Sequence, residues 1–167
     1  MILAVDVHYE AGCAVVAGVA FESWTDDEFE ASYVSSINQV SNYIPGQFYK
    51  RELPCILGLL TEHKLAPAII VIDGYVYLDG LSKPGLGWYL YDALQRRVKI
   101  IGVAKNPFTG ITAQHAVFRG KSKKPLYVTC VDMQLPVAKQ SIASMHGKYR
   151  MPTMLRMADQ LSRIKLC

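Results

Sequence analysis

The sequence lacks the features of a membrane-spanning or exported protein. None of its apolar runs approaches the ~20 residues that a spanning helix requires. The opening Met-Ile-Leu-Ala-Val-Asp has neither the basic segment nor the small-residue cleavage site of a signal peptide. We therefore expect a cytoplasmic protein that does not associate with membranes.

Cysteine and histidine patterns typical of metal sites are also missing. Cys13, Cys55, Cys130 and Cys167 are widely separated and form no C-x-x-C pair. The four histidines have no spacing typical of metal ligands. These absences argue against a zinc site and favour reduced thiols over a framework of disulfide bonds.

Acidic residues are scarce in the second half of the chain. Residues 1–95 hold four Lys or Arg and twelve Asp or Glu, whereas residues 96–167 hold fourteen and two. The net charge of +4 therefore conceals a strongly basic half, which predicts a surface that binds a polyanion such as nucleic acid. Any single lysine is more often only a solvated surface charge. The basic residues predicted to bind nucleic acid are Lys105, Arg119, Lys121, Lys123, Lys124 and Lys148.

Length and periodicity together predict one α/β domain over residues 1–167. Three early strands precede alternating helices and strands, which indicates a mixed β-sheet flanked by helices and is compatible with a ribonuclease-H-like architecture. The predicted strands are 1–7, 12–22, 31–35, 68–73, 98–104, 114–119 and 126–131, and the predicted helices are 48–64, 85–96, 137–146 and 153–164.

Two aspartates stand in strongly apolar surroundings. Asp6 lies between Val5 and Val7, and Asp73 closes a buried run of β-branched residues. A carboxylate in such a place costs free energy unless a cation or several donors compensate it. Each residue alone is more simply explained by capping a turn. Two such carboxylates at one sheet edge repel each other unless a metal lies between them.

Glu52 completes a set of oxygen ligands from the start of a predicted helix. A glutamate in the first turn also has the simpler role of complementing the helix dipole. Three carboxylates, with water and phosphate oxygens, form the type of site that Mg²⁺ or Mn²⁺ prefers. The sequence thus predicts a metal site formed by Asp6, Glu52 and Asp73.

Motifs along nearly the whole chain resemble those of the endonuclease V family. They are Val5-Asp6-Val7-His8-Tyr9, Tyr43-Ile44-Pro45-Gly46, Arg51-Glu52, Ile72-Asp73-Gly74, Ile101-Gly102-Val103-Ala104-Lys105 and Tyr149-Arg150-Met151-Pro152 with Arg156 and Ala158-Asp159. The resemblance rests on the order and spacing of these motifs, since none is decisive by itself.

This resemblance implies a ribonuclease-H-like fold and a magnesium-dependent endonuclease that cuts DNA or RNA 3′ of a deaminated adenine. Asp6, Glu52 and Asp73 match the metal-binding acids, and Lys105 matches a lysine near the scissile phosphate. The segment Tyr43, Ile44, Pro45 and Gly46 matches a wedge that separates strands at the lesion, and Gly74 is also expected to bind the nucleic acid. An ordinary Pro-Gly turn is the alternative for the wedge.

Several departures from the family pattern are present, and two of them affect the predicted site. Val131-Asp132 stands where the family has Gly-His, so we predict Asp132 as a fourth oxygen ligand beside Asp6 and Asp73. Tyr75-Val76 replaces a His-Gly pair after Gly74. A divergent relative that binds nucleic acid without cutting it stays an alternative. A protein-interaction module in which Asp6 and Asp73 merely cap turns is a third interpretation.

Overall fold

The described residues of the computed structural model, 1–38, 40, 42, 44–45 and 47–166, form seven strands and four α-helices. The strands are β1 (Ile2–Glu10), β2 (Cys13–Phe21), β3 (Ala31–Asn38), β4 (Ile69–Asp73), β5 (Lys99–Ala104), β6 (Ala116–Val117) and β7 (Leu126–Val131). The helices are α1 (Tyr49–Glu62), α2 (Leu86–Ala93), α3 (Leu135–Ser144) and α4 (Thr153–Ser162).

All seven strands join one mixed sheet in the order β3-β2-β1-β4-β5-β7-β6. The first three strands form an antiparallel meander, and β1, β4 and β5 run parallel to one another. Strand β7 pairs antiparallel with β5, and β6 pairs antiparallel with β7. This arrangement confirms the predicted mixed sheet flanked by helices.

Helices cover both faces of the sheet because its central strands are apolar on both sides. Helices α3 and α4 pack on one face, with Ala138, Ile142 and Met154 in the core. Helices α1 and α2 pack on the other face, with Ile56 and Leu90 in the core. The result is three layers, which hold the sheet edges in fixed positions.

The directions of the strands decide which residues meet at each edge of the sheet. Because β1, β4 and β5 are parallel, their carboxyl ends lie at the same edge. Strand β7 runs the other way, and its last residue, Val131, pairs with Ile100 near the start of β5. Whatever follows β7 therefore lies at the opposite edge.

The predicted strand over residues 114–119 is largely wrong. A short 3-10 helix spans Ala113–His115, and only the two residues of β6 follow it. His115 is buried, and its Nδ1 lies 2.8 Å from the carbonyl oxygen of Val128. Side-chain hydrogen bonds of this kind fix the segment without a long strand pairing.

The expectation of reduced thiols holds at only part of the chain. Cys55 and Cys130 are free, whereas Cys13 is disulfide-bonded. A pattern of scattered cysteines could not reveal this bond, because pairing depends on distance in the fold.

None of the described helices is long and apolar enough to cross a membrane.

Candidate active site

Asp6 lies in β1, just beyond the point where β1 stops pairing with β4. The hydroxyl of Ser162, at the end of α4, donates a hydrogen bond of 2.8 Å to Asp6 Oδ2. Burial raises the pKa of Asp6 above its usual value, the Ser162 bond opposes this, and the charges of Asp73 and Asp159 raise the pKa further. The ionised form of Asp6 is therefore destabilised by its surroundings, and a nearby cation would stabilise it.

Asp73 is the last residue of β4 and is exposed at the same sheet edge. The ammonium of Lys105, the residue after β5, lies 3.3 Å from Asp73 Oδ2. The pairing of the two strands continues past this point, because Gly74 N donates to the carbonyl oxygen of Val103 at 3.0 Å. Strand geometry therefore places Lys105 beside Asp73.

Glu52 reaches the same place from the first turn of α1, on the face of the helix that packs against the sheet. It is only 7% exposed, and none of the described residues donates a hydrogen bond to its carboxyl group. Its pKa lies well above the usual value, because it is buried and because Asp6 and Asp73 are close. A buried carboxyl without a partner favours either a proton or a cation.

The three predicted acids, together with Lys105, line one cavity. Over the described part of the chain, no three His, Cys, Asp or Glu side chains are grouped as ready-made ligands of one ion. The three acids therefore share a cavity without being grouped around one point, and Ser162 and Lys105 contact two of them.

Asp159 is a site residue that the sequence reasoning missed. It projects from α4 into a crevice lined also by Asp6, Asp73 and Lys105, and its charge raises the pKa of Asp6. Arg163, one turn later, pairs with Asp159 Oδ1 at 3.0 Å. The sequence did contain a signal for it, because Ala158-Asp159 belongs to the C-terminal motif. We had assigned no function to Asp159 there.

Asp132 is not part of this site, so its prediction as a fourth ligand is wrong. It follows β7 at the opposite edge of the sheet and is exposed. The distance from that edge to Lys105 corresponds to about five residues of strand, or ~15 Å. The error arose because the sequence does not state that β7 is antiparallel to β5.

Beside the acids the cavity becomes aromatic and has a volume of about 560 Å³. Tyr49 lines it and stacks on Tyr89 with ring centroids 3.7 Å apart. Tyr75 is held in place because its hydroxyl donates to the Asn106 carbonyl oxygen at 2.5 Å and accepts from the Phe108 amide at 3.1 Å. A space with these dimensions and rings suits a flat aromatic ligand. The sequence had given no indication of this cavity.

Gly74 and part of the predicted wedge can be placed. Gly74 lines the cavity with a φ of +142°, a conformation that favours glycine. Ile44 and Pro45 are both exposed. Tyr43 and Gly46 lie outside the described residues, so the wedge stays a prediction.

The predicted basic residues divide into two groups. Lys121, Lys123, Lys124 and Lys148 are exposed, as a nucleic-acid surface requires. Arg119 is 6% exposed, and its guanidinium donates to the carbonyl oxygens of residues 145, 147, 149 and 150. The prediction that Arg119 contacts nucleic acid is therefore wrong, because the side chain is buried and both of its terminal nitrogens donate to carbonyl oxygens inside the protein.

Comparison with known proteins identifies the family of this site. The sequence profile described as endonuclease V matches residues 1–122, well over half of the chain. The chain belongs to the endonuclease V family. The matched part includes Asp6, Glu52, Asp73 and Lys105, and it ends before Asp159.

Individual members of the endonuclease V family support this assignment. Endonuclease V of Nostoc punctiforme is 29% identical over 183 residues, which cover 96% of this chain and 81% of that protein. Endonuclease V of Streptomyces avermitilis is 30% identical over 185 residues, which cover 95% and 77%. Because the family consists of endonucleases, the chain is a phosphodiester hydrolase, as predicted.

Solved structures of endonuclease V share the fold. The Streptomyces avermitilis enzyme matches with a TM-score of 0.78 at 28% identity, covering 97% of this chain and 79% of that one. The Ciona intestinalis enzyme, solved with a 24mer DNA containing an inosine followed by a ribo-adenosine, matches with a TM-score of 0.78. The match covers 97% of this chain and 84% of the Ciona intestinalis chain. At 19% identity, it shows only that the two proteins share a fold.

Proposed function

We propose that this endonuclease V family member uses Mg²⁺ or Mn²⁺ to hydrolyse a phosphodiester bond 3′ of inosine in DNA or RNA. The buried carboxyl group of Glu52 carries the proposal. It has no hydrogen-bond donor among the described residues, and it faces Asp6 and Asp73 in a cavity that also contains Lys105. These three acids are the proposed metal ligands.

The residues fit a hard divalent cation. Their donors are carboxylate oxygens, which Mg²⁺ and Mn²⁺ prefer, and a cation offsets the repulsion that raises the pKa values of Asp6 and Glu52. When bound, such an ion lowers the pKa of an attacking water and stabilises charge on the phosphoryl group. Asp159 is a further oxygen donor beside Asp6.

Lys105 is a positively charged side chain of the protein within the proposed active site. Its ammonium lies 3.3 Å from Asp73 Oδ2 and would be able to donate to a non-bridging phosphate oxygen of a substrate bound at the acids. The Ser162 hydroxyl holds the Asp6 carboxyl group in place with a hydrogen bond of 2.8 Å. Lys105 is therefore proposed to bind and orient the scissile phosphate.

The aromatic end of the cavity is the proposed site of the inosine base. Displacing a base from the duplex costs stacking free energy, and stacking on aromatic rings of the protein offsets part of that cost. Tyr49, Tyr75 and Phe108 line this end, next to the acids. The Ciona intestinalis relative with this fold was solved with inosine-containing DNA. Residues 43–46 are the proposed wedge that fills the gap in the duplex.

A second function, binding without efficient cutting, is favoured by one observation. No three potential ligands are grouped around a single point over the described ranges, and Lys105 occupies one carboxylate of the site. In this alternative the acids would not bind a cation firmly enough for hydrolysis.

Single-turnover cleavage tests the two functions. Strands of DNA and RNA that contain one inosine, and matched strands with adenosine, are incubated with the protein in Mg²⁺, in Mn²⁺ or in chelator. We expect cutting of the inosine strands 3′ of the base, only with a metal. The variants Asp6→Asn, Glu52→Gln and Asp73→Asn should each lose most of this activity, whereas Asp92→Asn, an exposed acid on α2, should retain it.

Two outcomes would contradict the proposal. If the protein binds the inosine strand tightly but cuts nothing with either metal, the non-cleaving function is correct. If inosine and adenosine strands are cut equally, the protein is a nuclease but the proposed specificity for inosine is wrong. The cytoplasmic location and the single-domain organisation stay predictions.

A further inference from the structure

Tyr149 presents a large aromatic ring to solvent close to two cations. It is 52% exposed, the Arg156 guanidinium carbon lies 5.0 Å from the ring centroid, and the Lys148 ammonium lies 5.3 Å from it. By contrast, Arg51 lies 3.7 Å above the Tyr9 ring in a closed contact. The 52% exposure of Tyr149 leaves much of its side chain accessible, and Arg156 and Lys148 are themselves exposed.

The backbone under this ring is held rigidly. The buried Arg119 donates to the Tyr149 carbonyl oxygen at 2.8 Å and to three further carbonyls of the same loop. Gly120, with a φ of +60°, packs so closely that a Cβ there would lie 2.4 Å from the Lys148 carbonyl oxygen. The loop with Lys121, Lys123 and Lys124 is thereby fastened to the loop that carries Lys148 and Tyr149.

This rigid surface adjoins the acids. Arg150 donates to the carbonyl oxygens of Lys105 and Pro125, which ties the loop to the end of β5. Met151, two residues after Tyr149, lines the crevice that holds Asp6, Asp73 and Asp159. Arg156 and Asp159 are three residues apart on α4, a spacing that brings side chains to about 5–6 Å between Cβ atoms.

We propose that Tyr149 stacks an unpaired nucleobase next to the scissile phosphate, with Lys148 and Arg156 on the flanking phosphates. Exposed aromatic rings in a basic groove bind single strands in this way, because every base has a flat face and every linkage a negative charge. Tyr149 does not line the 560 Å³ cavity, so this is a second base site. The inference rests on the proposed function in taking nucleic acid as the substrate.

The ligand class is single-stranded nucleic acid rather than duplex. Bases inside a duplex are already stacked on both sides, and unstacking one costs a few kcal/mol. A single strand offers its bases freely, so the ring should discriminate between the two forms.

Equilibrium binding in chelator tests the proposal without cleavage. Fluorescence anisotropy measures the affinity of the full chain for a short single strand of DNA and for a hairpin duplex of the same sequence. The variants are Tyr149→Ala, Tyr149→Phe, which keeps the ring, and Phe29→Ala, which removes an exposed ring from the acidic loop at residues 22–30. For the single strand we expect Tyr149→Ala to bind about 5- to 100-fold more weakly. Tyr149→Phe and Phe29→Ala should match wild type.

The pattern across ligands and salt decides the interpretation. The Tyr149→Ala variant should bind the duplex like wild type, and its affinity should depend on salt as steeply as that of wild type, because stacking releases no counterions. Unchanged single-strand binding, or an equal loss on both ligands, overturns the proposal. A wild type that cuts no inosine strand but shows this pattern refutes the proposed function and leaves the second base site standing.

Discussion

At the scale of single residues, the protonation of Glu52 links the site to stability. Burial and the neighbouring Asp6 and Asp73 raise its pKa in the folded state, so the folded chain holds a proton that the unfolded chain has already lost. Stability without metal should therefore fall as pH rises from about 4.3, the usual value for Glu, through the folded pKa. Asp6 acts in the same direction.

Thermal melting in chelator checks this expectation. Over a pH series upward from about 4, the melting temperature of Glu52→Gln should fall less with rising pH than that of wild type, because the amide does not titrate. Added Mg²⁺ should reduce the pH dependence of wild type. The exposed Asp92→Asn serves as the control. Parallel curves for wild type and Glu52→Gln would show that Glu52 ionises normally.

At the scale of secondary-structure elements, strand direction separates the two late aspartates. Asp159 on α4 faces Asp6, whereas Asp132 follows the antiparallel β7 at the far edge. We expect Asp159→Ala to lower single-turnover cleavage roughly 10- to 100-fold, the range for residues that support a metal site. Asp132→Ala should stay within about twofold of wild type. A larger effect for Asp132→Ala than for Asp159→Ala would contradict the strand order.

Arg119 links two loops, and its replacement should destabilise both. Its guanidinium satisfies four backbone carbonyls, so Arg119→Met should lower the free energy of unfolding by about 2–4 kcal/mol. Lys121→Met, two residues away and exposed, should change it by less than about 0.5 kcal/mol. Urea unfolding measures both. If the two variants unfold alike, these hydrogen bonds contribute nothing in solution.

At the scale of the whole molecule, the charge asymmetry along the chain becomes a local surface. The loop that contains Lys121, Lys123 and Lys124 is fastened to the loop that contains Lys148, and Arg150 joins both loops to Lys105. The basic half of the sequence thus gathers charge next to the acids. A substrate phosphate at the acids would place its neighbours near these lysines.

Salt titration of binding tests this surface. Each of Lys121→Ala, Lys124→Ala and Lys148→Ala should reduce the slope of log affinity against log salt by about 0.7 for a single strand. Lys99→Ala should leave the slope unchanged, because Lys99 is exposed at the opposite edge of the sheet. Equal slopes for all four variants would show that the lysines do not contact phosphates.

The sequence by itself determined the elements and the central acids. Apolar runs and their ends are local properties, so the strand ending at Asp73 and the helix carrying Glu52 were predictable from neighbouring residues. The meeting of Asp6 and Asp73 at one edge also required β1 to lie beside β4, which the sequence left as a condition and the structure shows. Lys105 lies beside Asp73, and its predicted place near the scissile phosphate stays a prediction.

Only the tertiary structure decided which of the remaining residues belong to the site. Asp132 and Asp159 look alike in sequence, and the direction of β7 and the docking of α4 separate them. Arg119 has the same charge as its neighbour Lys121, yet four carbonyls from a distant loop bury it. Strand direction and long-range hydrogen bonds depend on residues far apart along the chain, and a local pattern contains no record of them.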